Sequence, residues 1–346
     1  MKTELVRTQG HTAASIKRGA EIIRGGGLVA FPTETVYGLG ADGLDQTAVL
    51  RIFEAKGRPA DNPLILHVHK KDDVHGVWRR VPEHALRLMD KFWPGPLTLI
   101  GLKDDRVPAA VTAGLDTVAV RMPRDRTARL LIAKSKRPIA APSANVSGRP
   151  SPTTAAHVMA DLGGRIDLVL DGGPCRYGVE STVLSLVGKP TILRPGAVTR
   201  EMLEAIIGSV EVAKAVLLPM SDSEEAASPG LKHAHYAPQA EVIVVCGEPE
   251  TTARRIIHLY DEAEAAGRRC EILATEQTKP FYNARKCVTI GDRIFPETLC
   301  ENLFAALREL DGRAELILAE GVSTDHMGLA YMNRLLRAAR FRVIEA

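Results

Sequence analysis

Two short segments of this 346-residue chain place polar or charged side chains one residue apart: Lys56-Gly57-Arg58 and Ser143-Ala144-Asn145. Lysine offers a compact point charge and arginine a planar fork, and both suit phosphate oxygens. In isolation the first pair reads equally as cations complementing a helix C-terminus, because a helix ends near Ala55 and Gly57 is a turn residue. Ser143 and Asn145 alone read as a turn after a strand. His67-Val68-His69 puts two imidazoles on one strand face. Zinc needs at least a third protein ligand, and no cluster at ligand spacing accompanies the pair. His67 is better read as a hydrogen-bond partner of a substrate, with His69 an ordinary surface histidine. On the strand Thr117 to Arg121, residues Thr117, Ala119 and Arg121 share one face and Val118 and Val120 the other. A buried valine face turns Thr117 and Arg121 toward a cleft.

Several chemistries are excluded. Gly38-Leu39-Gly40-Ala41-Asp42-Gly43 matches the dinucleotide-binding G-x-G-x-x-G, but that fingerprint begins at the end of the first strand. Here Pro32 to Tyr37 intervene between the strand and Gly38. No G-x-x-x-x-G-K-[ST] phosphate loop and no G-x-S-x-G nucleophile elbow is present. Five cysteines, Cys175, Cys246, Cys270, Cys287 and Cys300, are odd in number and lack a C-x-x-C pair, which reads as free thiols. No apolar run approaches the ~18 residues of a membrane span. The N-terminus turns polar before a signal peptide could form, so a cytoplasmic protein without membrane partners is expected.

At ~150 residues per domain the length suits about two domains. Charge divides the same way: 29 Lys and Arg against 22 Asp and Glu up to residue 212, then 16 against 20. Arg121, Arg124, Arg126, Arg129, Lys134, Lys136 and Arg137 face only Asp125 in the basic half, a run that reads as a solvated face or as attraction for a polyanion. Ser221 to Gly230 lacks apolar periodicity and ends in a Pro-Gly turn signal, which marks a linker. Beyond it, apolar runs at Val242–Cys246, Ile272–Leu273, Val288–Ile290 and Leu316–Leu318 alternate with helical stretches at Thr252–Ala266, Glu297–Leu310 and Gly328–Arg340. That alternation predicts β-α-β units on a mostly parallel sheet. Before the linker, helices over Thr12–Arg24, Gln46–Ala55, Pro82–Lys91 and Ala128–Lys134 are interspersed with strands. Two of these, Ser181–Leu186 and Thr191–Arg194, follow one another directly and so pair antiparallel. The expected architecture is α/β: a domain over 1–212 with a sheet of mixed direction, a linker over 213–238, and a smaller parallel α/β domain over 239–346.

The chain resembles the YrdC-type threonylcarbamoyl-AMP synthases in their long, two-domain form. The likeness is carried by Phe31-Pro32-Thr33-Glu34-Thr35-Val36-Tyr37-Gly38-Leu39-Gly40, Lys56-Gly57-Arg58-Pro59, Asn62-Pro63-Leu64 and His67-Val68-His69. It continues in Ala141-Pro142-Ser143-Ala144-Asn145-Val146-Ser147-Gly148, Gly178-Val179-Glu180-Ser181-Thr182-Val183 and Leu193-Arg194-Pro195-Gly196, and beyond the linker in Gly328 to Leu335. The resemblance implies a twisted, mixed YrdC-like sheet followed by a Rossmann-like domain. It also implies a reaction of L-threonine, bicarbonate and ATP to threonylcarbamoyl-adenylate and pyrophosphate. The product would pass to a tRNA threonylcarbamoyl transferase, and Mg²⁺ would accompany the ATP.

By the same resemblance Lys56 and Arg58 serve the chemical step, and Thr35, His67, Arg121, Ala141 and Ser181 form the threonine pocket. Arg58, Asn62, Thr117, Ser143, Asn145, Ser151, Arg194 and Tyr236 line the nucleotide, and no residue is assigned to a resident metal. The linker is implied to fold over the active site as a lid. It departs from the family pattern: Leu231 stands for a methionine, and His233-Ala234 for a Tyr-Arg pair, while Lys232, His235 and Tyr236 remain. The alternatives are a double-stranded RNA-binding module and a former of carbamoyl-adenylate that uses carbamoyl phosphate. Aromatic residues at 4% are few for base stacking, and the extra domains or metal motifs of carbamoyl-phosphate enzymes are absent from this sequence.

Overall fold

A computed structural model describes residues 2–8, 12–219 and 236–346. Most of the expected linker, including Leu231, Lys232, His233, Ala234 and His235, lies outside the described residues. Contacts divide the chain into two compact units, the first holding Ser151–Val216 and all but three of the residues before it, the second holding Gly148–Pro150, Leu217–Pro219 and the residues from Tyr236 onward.

The first unit runs β1 (Glu4–Arg7), α1 (Thr12–Arg24), β2 (Val29–Phe31), β3 (Gly38–Asp42), α2 (Gln46–Lys56), β4 (Ile65–His67), α3 (Glu83–Phe92), β5 (Leu97–Leu102) and α4 (Ala109–Thr112). It continues with β6 (Thr117–Arg121), α5 (Arg126–Ser135), β7 (Ile139–Ala140), α6 (Ala155–Leu162), β8 (Leu168–Asp171), β9 (Thr182–Ser185), β10 (Thr191–Arg194), α7 (Arg200–Ile207) and β11 (Glu211–Val212). Its strands form one sheet in the order β1-β8-β2-β3-β7-β4-β6-β5-β9-β10-β11. Direction is mixed as expected: β4 with β6 and β5 with β9 are parallel, β5 with β6 and β9 with β10 antiparallel. On one side α1 and α5 bury Ile16, Ile23, Leu131 and Ile132 against Val29, Phe31 and Leu168. The larger core gathers α2, α3, α6 and α7 over Leu39, Leu66, Leu99, Val120 and Leu184.

Local chemistry sets the site's supports. Asp45 caps α2 by accepting from the Thr47 and Ala48 amides. At its other end Gly57 adopts a left-handed φ of 60°, with its N–H and that of Arg58 closing onto the carbonyls of Glu54 and Phe53. The Gly38–Asp42 stretch is not a phosphate loop but strand β3, antiparallel to β2. A Cβ on Gly40 would lie 2.7 Å from Ile139 Cγ2 and 2.8 Å from Phe31 Cε1, so glycine there serves close packing.

The second unit contains β12 (Glu241–Cys246), α8 (Pro249–Ala265), β13 (Cys270–Ala274), β14 (Cys287–Thr289), α9 (Pro296–Leu310), β15 (Leu316–Glu320), α10 (Gly328–Ala338) and β16 (Val343–Glu345). The sheet order is β14-β13-β15-β12-β16, and every pairing is parallel, as the alternating pattern requires. Pro296 opens α9, where a missing N–H costs nothing. At the carboxyl end of β15 the fully buried Glu320 accepts from Tyr282 Oη (2.6 Å), Thr275 Oγ1 (2.8 Å), Thr278 Oγ1 and Arg293 (2.9 Å). Among the described residues no helix is long and apolar enough to cross a membrane.

Candidate active site

The register of five adjacent strands assembles the site. His67 on β4 lies opposite Arg121 on β6, Arg121 opposite Thr98 on β5, Thr98 opposite Val183 on β9, and Val183 opposite Arg194 on β10. Residues directly opposite in a sheet share a face, so these form one row of side chains. The register of β9 and β10 shifts between Ile192 and Arg194. That bulge brings Arg194 opposite Val183 rather than Thr182, and so onto the face that carries Arg121. Ile65, Ile100 and Ala119, with Leu193, pack with the row's own Val183 as an apolar floor.

Every charged group in the row is tied down. Arg121 and Glu34 form a buried pair at 2.8 Å, with only 4% and 6% of their side chains exposed. Arg121 also donates to Thr35 Oγ1 at 2.9 Å and to the Gly95 carbonyl at 3.3 Å. Thr98 and Ser181 share a hydroxyl hydrogen bond of 2.8 Å, and Arg194 donates to both the hydroxyl and the carbonyl of Ser181 at 3.1 and 3.0 Å. Two guanidinium forks thus flank a pair of hydroxyls. The forks stand three strand spacings apart, roughly 14 Å between backbones.

Of the nucleotide residues expected from the sequence, all but Tyr236 lie in the first unit. Lys56, the buried last residue of α2, sends Nζ to the carbonyls of Ser143 (2.5 Å) and Asn145 (2.6 Å), so its charge faces the Ser-x-Asn segment and not the end of its own helix. Ser143 pairs with Gly38 through an isolated bridge and donates to Asn145 Oδ1. The backbone N–H of Ala141 is bonded to the Ile65 carbonyl at 2.9 Å. Arg58 stacks its guanidinium 5.8 Å from the Phe53 ring centre and donates to the carbonyls of Asn62 and Pro63. Asn62 is 1% exposed, and neither atom of its side-chain amide has a partner among the described residues. Ser151 donates to Glu180 Oε1, and Thr117 stands half-buried at the start of β6. Tyr236 belongs to the second unit, where its ring packs 5.1 Å from Phe304 with the Arg334 guanidinium 5.9 Å away.

Burial and then the Arg121 charge push His67 down to about 3. The ring is therefore neutral. Its Nδ1 lies 3.2 Å from the Ile65 carbonyl, and the tautomer that donates there leaves Nε2 as an acceptor. Burial holds the thiols of Cys175, Cys270 and Cys300 up at about 12, too high for a thiolate nucleophile. Among the described residues no three His, Cys, Asp or Glu side chains gather to hold a metal ion. The site can thus clamp two anions and hydrogen-bond what lies between them, without a covalent nucleophile.

Comparison with known proteins decides the family. The profile of the Sua5_yciO_yrdC family, described as telomere recombination, matches residues 21–196, and that of the threonylcarbamoyl-AMP synthase C-terminal domain matches residues 198–340. Threonylcarbamoyl-AMP synthases of Pyrococcus abyssi and Bacillus subtilis are each 48% identical over 332 residues, covering 95% of this chain and 95% and 94% of theirs. The chain belongs to the threonylcarbamoyl-AMP synthase family. The crystal structure of P. abyssi Sua5 complexed with L-threonine superimposes with a TM-score of 0.93 at 46% identity, covering 100% of both chains.

Against this family background, three features of the site were not singled out as functional in the sequence. Thr98 lies within an apolar run and is marked only by its register with Arg121. Glu34 sits inside the Pro32–Tyr37 turn, where a carboxylate reads as solvent-facing, and Glu180 precedes Ser181 with the same disguise. The signal that could have found the two glutamates is a charged residue inside an otherwise apolar or hydroxyl-bearing stretch. Of the basic run, Arg121 alone turns into the sheet. Arg124, Arg126, Arg129, Lys134, Lys136 and Arg137 are exposed on and around α5.

Proposed function

We propose that the protein condenses L-threonine, bicarbonate and ATP into L-threonylcarbamoyladenylate and pyrophosphate, for transfer to tRNA by a threonylcarbamoyl transferase. The observation that carries this reading is the single row of side chains holding Arg121 and Arg194 on one face, with hydroxyls between them. Arg121 takes the threonine carboxylate, with Thr35, Ser181 and the backbone of Ala141 around it. Neutral His67 is too weak a base to hold a proton at neutral pH, and it accepts a hydrogen bond from the amino group. The carbamate formed from threonine and bicarbonate is an anion that must meet the α-phosphorus of ATP, so the work is positioning and charge neutralisation.

Arg194 and Arg58 are the forks on the phosphates. Lys56 adds charge and clamps the segment bearing Ser143 and Asn145. Asn62, Thr117 and Ser151 line the nucleotide, and Asn62 is supported by its unpartnered buried amide. Mg²⁺ bound with ATP would supply further neutralisation of the triphosphate beside the cations Lys56, Arg58 and Arg194. The reaction runs in the cytoplasm, a placement supported by five free cysteines.

Purified protein should release pyrophosphate only when ATP, threonine and bicarbonate are all present. Serine in place of threonine should lower kcat/KM about five- to tenfold, since the methyl group's burial is worth ~1 kcal/mol or more. Full turnover without bicarbonate, or equal turnover with serine, rejects the reading.

A further inference from the structure

The proposed chemistry gives no role to the buried carboxylate of Glu34. Glu34 holds an ionised partner at one oxygen and two backbone donors at the other: Oε1 faces Arg121 at 2.8 Å, while Oε2 accepts from the amides of Arg124 (2.9 Å) and Asp125 (3.3 Å). Those two residues form the turn from β6 into α5, where Asp125 caps the helix by accepting from the Ala128 amide. One carboxylate therefore ties the turn after β2 to the turn after β6. Between them stands Arg121. A carboxylate with 6% of its side chain exposed is expensive to bury unless its bonds are put to use.

The count of donors shows the use. A guanidinium has five N–H groups. Arg121 gives one from Nε to Gly95 and one from a terminal nitrogen to Thr35, while its other terminal nitrogen stands 2.8 Å from Glu34 Oε1 as an ion pair and makes no hydrogen bond among the described residues. N–H groups therefore remain on both terminal nitrogens, and one from each makes the pair a carboxylate takes in a bidentate grip. We infer that Glu34 is a positioning residue for the amino-acid substrate: it locks the rotation of the Arg121 guanidinium so that this pair of donors is presented to the incoming carboxylate. The inference rests on the reading that Arg121 binds threonine.

Glutamine at this position keeps the shape but cannot accept on both sides, because its amide nitrogen would face either Arg121 or the Arg124 amide donor to donor. Steady-state rates of Glu34→Gln, Glu34→Asp and Arg121→Lys, with each substrate varied in turn, test it. Glu34→Gln should raise KM for threonine at least tenfold and leave KM for ATP and bicarbonate within twofold. Glu34→Asp keeps the charge and should bring KM for threonine back to within about threefold of the parent. If Glu34→Gln fails to fold, Glu34→Asp with a threonine KM shifted alone still supports the inference, and one shifted in step with ATP rejects it. An unchanged or lowered threonine KM in Glu34→Gln, while Arg121→Lys loses threonine, overturns the role of Glu34 alone. Arg121→Lys with unaltered threonine kinetics overturns the underlying reading as well.

Discussion

Each unit buries an arginine against a glutamate, and the two pairs are built in opposite senses. In the second unit the carboxylate is the centre: Glu320 is saturated by Tyr282, Thr275, Thr278 and Arg293, and hydroxyls supply three of its four partners. In the first unit the cations dominate. Arg121 faces Glu34, Arg194 the hydroxyl and carbonyl of Ser181, Lys56 the carbonyls of Ser143 and Asn145, and Arg58 those of Asn62 and Pro63, and the Asn62 amide is left without a partner among the described residues. A closed network stabilises, whereas one in which the Asn62 amide and a terminal nitrogen of Arg121 make no hydrogen bond among the described residues is prepared for a ligand that arrives later.

Removing the centre of the closed network gives the largest effect on stability. Glu320→Ala should cost about 3 kcal/mol or more, because Arg293 and three hydroxyls lose their acceptor. Urea denaturation reads the loss, and KM values for ATP and threonine should not change. A loss below about 1 kcal/mol would show that the network is not the stabiliser its saturation implies.

Next comes the pH dependence of the cationic site. His67 is held near 3, below its ordinary value of 6.5, so the folded protein binds fewer protons than the unfolded chain between those values. The associated stability is fully present above pH 6.5 and is lost as pH falls toward 3, at about 1.4 kcal/mol per unit. His67→Asn removes that dependence. Between pH 6.5 and 5 the parent should lose about 2 kcal/mol more than the variant, measured by denaturation at each pH.

The smallest effect is the most diagnostic. Asn62→Leu removes an amide that is buried without partners in the ligand-free protein, so stability should stay level or rise by about 1 kcal/mol. ATP binding should nevertheless weaken about tenfold by calorimetry, a figure set by one or two lost hydrogen bonds. In the closed network the matching substitution, Tyr282→Phe, should lose about 1 kcal/mol with no effect on any ligand. If Asn62→Leu destabilises the free protein as Tyr282→Phe does, the amide is structural.

Much of the scaffold was legible because its signals are local. Alternating valines place Thr117, Ala119 and Arg121 on one strand face, Pro296 opens a helix, and the alternation of apolar runs and helical stretches after residue 240 reads as a parallel sheet. Both faces of β6 prove buried, though, with Ala119 at 5% and Arg121 at 4% exposure where a cleft-facing side was expected. Strand β3 carried no strand signal, since its glycines are there to let β2 and β7 approach.

The functional assembly depends on register between strands distant in sequence. Residues 65–67 lie against 119–121, 98–102 against 117–121, and 97–100 against 182–185, and nothing within any one segment specifies its partner. A slip of one residue would send Arg121 or Thr98 to the opposite face. The bulge before Arg194 is of the same kind: simple alternation within β10 gives it the wrong side, and only pairing with β9 corrects it. Residue type and short-range periodicity set which side chains could bind phosphate or carboxylate and which elements carry them. Which of those side chains meet, and that Glu34 holds Arg121 while Asn62 waits unpartnered, was decided by long-range pairing and burial, whose energies exist only once the whole sheet has closed.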